Sequence, residues 1–124
     1  MTPEAAEFIE RAIDTIQQLE ILILLRQSSG RVWSVREIAD EIQMSTATVA
    51  SNVTALHLAG VLVAQPESDA YRYEPQSIAL HAGVESLLAA YEADPLPVVK
   101  AVFEKPPRAL RTFSDAVLFR PRRD

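Results

Sequence analysis

Apolar positions along this chain recur first at helical spacing, then at strand spacing, then at helical spacing again. Ile9, Ile13, Ile16 and Leu19 fall at i, i+4, i+7 and i+10, with Glu7, Glu10, Asp14 and Gln17 between them. That pattern predicts one helix running to about Arg26. Its start is Thr2-Pro3-Glu4: a threonine to cap, proline at the first helical position and an acid against the positive helix end. Residues 19–25 are apolar nearly all round, so the second half of this helix is expected to be buried on more than one side. Ser28-Ser29-Gly30 reads as a turn, and Val32-Trp33 as a very short strand or extended link with Trp33 as a core anchor beside a hairpin.

Residues 34–62 read as two short helices joined by a tight turn. Ser34 caps the first, and Glu37 can reach back to it, forming a capping box. Val35, Ile38, Ala39 and Ile42 form its apolar stripe, and small Ala39 lets the next helix approach closely. Gln43-Met44 breaks the pattern and Ser45 is a second N-cap. Val49, Val53 and Leu56 then recur at i, i+4 and i+7, and Gly60 sits where a glycine ends a helix. Beyond it, residues 61–65 and 70–74 bracket Pro66-Glu67-Ser68-Asp69, a hairpin with a short turn-forming loop. Tyr71 and Tyr73 share one of its faces and Arg72 takes the other.

Three helices are expected after Pro75. Ser77 caps one carrying Leu80, Val84, Leu87, Leu88 and Tyr91. Asp94-Pro95 opens a second with Val98, Val99, Val102 and Phe103. Lys105-Pro106-Pro107 forces a corner. The last carries Leu110, Phe113 and Val117 with an Arg111–Asp115 pair, and Arg120-Pro121-Arg122-Arg123 makes a basic end.

Two helices across a turn, the second offered outward, followed by a hairpin, is a helix-turn-helix with a wing. Ala39, the run from Ser45 to Val49, and Leu56-x-x-x-Gly60-Val61-Leu62 resemble the winged-helix domains of small bacterial transcription regulators, MarR-like ones included. Gln43 stands where many helix-turn-helix proteins place glycine. The resemblance covers about half the chain and implies a mainly α fold with a small β-hairpin. In that fold, residues 1–18 form an N-terminal helix extension, residues 19–77 the winged helix-turn-helix, and residues 78–124 a C-terminal helical extension with a basic tail. The N-terminal helix has two expected uses: packing on the C-terminal helices of the same chain, or forming a homodimer with them.

Length and charge narrow the classes. A chain of 124 residues, 48% hydrophobic and 23% charged, is a single globular domain. It has no cysteine, which excludes a disulfide framework and thiolate metal sites. The acidic start is not a signal peptide, and the apolar run at 21–25 is far too short to span a bilayer, so a cytoplasmic protein with no membrane partner is expected. His57 and His81 have no nucleophile or ligand at diagnostic spacing, and the three glycines make no phosphate loop. No enzyme activity, metal or cofactor is expected.

Charge is uneven. The net value is −5, yet residues 1–94 hold 5 Lys/Arg against 14 Asp/Glu while residues 95–124 hold 7 against 3. For binding double-stranded DNA, the candidate side chains are Ser45, Thr46, Thr48, Ser51 and Asn52 on the second helix, with Arg36 and Arg72 on phosphates. Asn52 has the groups to read adenine with two hydrogen bonds. The same helix carries no Lys or Arg, and Glu67 and Asp69 sit at the wing tip; these repel phosphates. A DNA-binding transcription regulator is therefore expected on the resemblance. A winged-helix protein-interaction module, docking a protein partner with the same surface, is the competing expectation.

Overall fold

Each helix of the computed structural model, which describes residues 1–106, begins on a side-chain oxygen that accepts a backbone amide. The caps are Thr2 for α1 (Pro3–Ala12), Thr15 for α2 (Ile16–Gln27), Ser34 for α3 (Val35–Ile42) and Ser45 for α4 (Thr46–Leu58). Ser77 caps α5 (Ile78–Ala93) and Asp94 caps α6 (Pro95–Phe103). Such caps each contribute about 1 kcal/mol, and they fix where each helix starts. Three short strands complete the fold: β1 (Trp33–Ser34), β2 (Leu62–Ala64) and β3 (Ala70–Tyr73).

The expected single N-terminal helix is two helices. Thr15 Oγ1 accepts from Gln18 N at 3.0 Å, and Gln18 Oε1 accepts from Asp14 N at 2.7 Å. These two bonds start α2 afresh, and Ile13 before it is extended at φ −112°. The corner folds α1 back across α5. They meet at Gly83, where an added Cβ would stand 2.8 Å from Phe8 Cδ1, so any larger residue there would have to displace Phe8. Ile9 and Ile13 are thereby buried within the chain, as is Val102. Of the apolar residues on the face expected to pair two copies, Ile9, Ile13 and Val102 pack inside their own chain, Ile16, Leu88, Tyr91 and Val99 are half-buried, and Phe103 is 74% exposed.

Lys105 locks that corner. Its Nζ donates to Ile9 O at 2.6 Å, Glu10 O at 3.1 Å and Ile13 O at 2.7 Å, and lies 3.0 Å from Asp14 Oδ1. The side chain is 5% exposed. It satisfies carbonyls at the C-terminus of α1 and places a cation at that helix's negative end.

α2 is the central helix: Leu19, Ile21, Leu22 and Leu25 are all essentially buried, against Ile38 of α3 and Val49, Val53 and Leu56 of α4. The β2–β3 hairpin pairs Leu62 with Tyr73, Val63 with Arg72 and Ala64 with Tyr71, as the alternation predicts. β1 adds to its other side, pairing Trp33 with Tyr71, so the strand order is β1-β3-β2. Trp33 is the core anchor expected, and its Nε1 donates to Ser28 Oγ at 3.0 Å. The capping box at Ser34 and Glu37 is present in full. Gln43 takes φ +58°, the left-handed conformation for which glycine is the usual choice, and its Nε2 donates to Asp40 O at 2.8 Å.

The chain is a mainly α winged helix-turn-helix with a small antiparallel sheet, an N-terminal helix extension and C-terminal helices. No helix among the described residues is long and apolar enough to cross a membrane. The last expected helix, with Leu110, Phe113, Val117 and the Arg111–Asp115 pair, and the basic end at residues 120–123 lie outside the described residues.

Candidate nucleic-acid interface

α4 turns Val49, Val53 and Leu56 inward, all fully buried. Helical geometry then sends Thr46, Ala47, Ala50, Ser51, Thr54 and Leu58 outward, and all six are exposed. At its start, Ser45 Oγ accepts from Thr48 N at 3.1 Å and donates to Thr48 Oγ1 at 2.9 Å. Ser45, Thr46 and Ser51 therefore share one open surface, with Thr48 half-buried at its edge. Ala47, Ala50 and Thr54, overlooked from sequence, belong to the same surface; the inward stripe alone would have located them.

Asn52 does not lie on that surface. It is buried, its Oδ1 accepting from Thr15 Oγ1 at 3.0 Å and its Nδ2 donating to Thr48 O at 2.8 Å. Position 52 stands four residues before Leu56 and three after Val49, so it falls on the inward side of the helix. Both ends of the amide are used within the fold, which removes Asn52 from base reading. Its role is to tie α4 to the α1–α2 corner.

Arg36 is exposed on α3 beside Glu37, Asp40 and Glu41. Arg72 is matched within the wing: Nη2 donates to Glu74 Oε1 at 2.6 Å, Nε to the same oxygen at 3.2 Å, and Nη1 to Gln65 Oε1 at 3.3 Å. The expected phosphate contact by Arg72 would have to compete with Glu74. Arg31 lies flat over Trp33 with its Cζ 3.6 Å from the ring centre and its Nη2 3.9 Å from Glu37 Oε2, and its side chain stays half open to solvent. At the wing tip Glu67 adopts φ +59°, and both it and Asp69 are exposed.

The remaining titratable groups hold the wing onto the helices. His57 Nδ1 lies 3.0 Å from Leu62 O and its ring stacks tilted on Tyr71, binding the end of α4 to the sheet. Tyr73 Oη lies 2.9 Å from His81 Nδ1, and Arg26 sits over the Tyr73 ring and donates to Glu85. Burial pushes the Tyr73 hydroxyl up to about 12. The hydrogen bond from Arg26 holds the Glu85 carboxyl below its ordinary value, and the same bond raises the guanidinium. Among the described residues no cluster of three or more His, Asp or Glu could hold a metal ion.

Comparison with protein-family models, curated proteins and solved structures gives no match for this chain. Residues 1–106 carry 7 Lys/Arg against 15 Asp/Glu, a balance of −8. The open surface of α4 is nevertheless free of acids, and exposed Arg11 at the end of α1 lines one groove with Ser51 and Thr54.

Proposed function

We propose that this chain is a DNA-binding transcription regulator that inserts the N-terminal half of α4 into the major groove, and so works in the cytoplasm. The observation that carries the reading is the open, charge-free surface of Ser45, Thr46, Ala47, Ala50 and Ser51, set on the outward helix of a winged helix-turn-helix. Hydroxyls suit phosphates and mixed base contacts, and the methyl groups of Ala47 and Ala50 suit thymine methyls. Unpaired amides at the start of α4 suit a phosphate. Resemblance to MarR-like regulators points the same way.

Electrostatics make the reading quantitative. With Arg72 matched by Glu74, phosphate contacts fall to Arg36 and to Arg31, whose Nη2 stands 3.9 Å from Glu37 Oε2 in a half-open position. Two such contacts give a slope of log affinity against log salt of about −2, far shallower than a regulator with many phosphate contacts. The test is anisotropy of the purified chain on fluorescent duplexes selected from genomic fragments, at several salt concentrations. A slope near −2 that falls by about one unit in Arg36→Ala supports the reading. Ser51→Arg should steepen it by about one unit. Absence of binding to every fragment at low salt overturns it.

A second reading has its own support in the acidic wing tip and the internal pairing of Arg72. A winged-helix protein-interaction module would use the same α4 surface on a protein partner. It forecasts that Ser51→Arg abolishes capture of that partner while no duplex is retained by either form.

A further inference from the structure

Most cations of this chain are matched by an acid. Arg26 pairs with Glu85, Arg31 with Glu37, Arg72 with Glu74, Lys100 with Glu104 and Lys105 with Asp14. Among the described residues that leaves two, Arg11 and Arg36, which form no ion pair, and both are exposed. Arg36 already belongs to the surface proposed for DNA. Arg11 stands on α1, outside the helix-turn-helix.

The fold nevertheless brings Arg11 to the side of α4. On one flank of that helix, His57 Nδ1 lies 3.0 Å from Leu62 O and its ring stacks on Tyr71, so the wing is there. On the other flank, Thr15 Oγ1 donates to Asn52 Oδ1 at 3.0 Å, and a groove of about 400 Å³ runs between α4 and the end of α1. Arg11 and Ala12 wall it from α1, and Ser51, Thr54 and Leu58 from α4. Residues 52 and 57 stand roughly 140° apart across the buried side of a helix with 3.6 residues per turn. The wing and the end of α1 therefore border the open face from opposite sides.

We propose that Arg11 contacts a phosphate of the DNA strand that runs along this flank, so that the N-terminal extension, rather than the wing, holds the duplex laterally. This rests on the DNA-binding reading and adds to it a contact from outside the helix-turn-helix. The major groove is about 12 Å wide, so a helix set into it has a phosphate strand along each side. On the wing side those phosphates meet exposed Glu67 and Asp69, and an Arg72 already spent on Glu74. On the α1 side they meet an unpaired guanidinium beside two hydroxyls, in a groove with no acid among its walls. A planar guanidinium suits two phosphate oxygens at once. Its footing is also rigid, since Lys105 Nζ holds the carbonyls of Ile9, Glu10 and Ile13 on either side of it. Exposed Glu7, one turn back along α1, and exposed Glu10 beside Arg11 act against the contact and limit its strength.

The test is anisotropy of the full chain on the fluorescent duplex retained at low salt, repeated at several salt concentrations. A third phosphate contact makes the slope of log affinity against log salt about one unit steeper than two contacts give. Arg11→Ala should remove that unit and weaken all duplexes alike, with an unchanged thermal midpoint. Arg11→Lys should keep the slope and lose part of the affinity, because a point charge replaces the fork. Glu7→Gln should tighten binding a few-fold at low salt, a gain that fades as salt rises. A duplex whose slope flattens in Arg36→Ala but not in Arg11→Ala leaves the DNA reading standing and overturns the α1 contact. Affinity lost in Arg11→Ala at an unchanged slope overturns it too, since that marks altered packing. If the unaltered chain retains no duplex at any salt, the DNA reading falls and this contact with it.

Discussion

Replacing Lys105 by methionine removes one ammonium and keeps nearly the same length of chain. In the native fold that ammonium reaches three backbone carbonyls and Asp14, and its side chain is 5% exposed. Breaking a fully buried pair by removing one partner costs about 3–5 kcal/mol, because the other is left without compensation. Asp14 is 15% exposed here, so water recovers part of its loss, and the methionine regains some apolar contact. Against that, carbonyls near the end of α1 lose a charged donor, and hydrogen bonds to charged groups are each worth about 1.5–3 kcal/mol without being additive. The balance is a destabilisation of about 2–4 kcal/mol, which lowers the melting temperature of a chain this size by roughly 10 °C. Urea titration followed by circular dichroism measures it. Lys105→Arg should fall between the two, since a planar fork cannot converge on the same carbonyls. Amide exchange adds a spatial check: protection should fall at the end of α1 more than in α3. A Lys105→Met chain within about 0.5 kcal/mol of the original, the range of an ordinary surface change, would refute this account of the corner.

Two further predictions concern side chains with internal roles. Asn52→Ala should cost about 1–3 kcal/mol of stability by stranding the Thr15 hydroxyl and loosening α4; corrected for the folded fraction, it should leave the base preference of any duplex unchanged, whereas a base reader would lose it. Tyr73 is neutral in the fold up to about 12 and ionises near 10 when unfolded, so its share of stability is complete below pH 10 and is lost as pH rises towards 12, by up to about 2–3 kcal/mol. Denaturation at pH 9 and 11.5 should show that extra loss in the original chain and not in Tyr73→Phe; equal slopes in the two would show that burial of the hydroxyl is not the cause.

Much of the fold was legible because its signals are local. The capping box at Ser34, the caps at Ser45, Ser77 and Asp94, and the strand alternation around residues 66–69 each act within a few residues. The break between α1 and α2 was hidden by an apolar stripe that runs on through Ile13 and Ile16. Its signature, Thr15-x-x-Gln18, was present in the sequence as a capping box and was outweighed by periodicity. β1 is two residues long, too short to show a period. Asn52 was misplaced because a polar residue was assumed to face outward, although its spacing from Val49 and Leu56 sets it inside. Lys105 meets the carbonyl of Ile9 across 96 positions of sequence, and no local pattern announces such a partner.

One hydroxyl at the corner serves two helices at once. Thr15 Oγ1 accepts the amide that opens α2 and donates its proton to Asn52 on α4. The outward helix is therefore aligned in part from outside the helix-turn-helix itself, by a residue that owes its place to α1, α6 and the lysine between them. Anyone transplanting this wing and its two helices into another protein must carry the corner along. A graft cut at Leu19, the boundary that the resemblance implies, leaves behind the hydroxyl that α4 hangs from, and Asn52 would arrive in its new host with half of its amide unanswered.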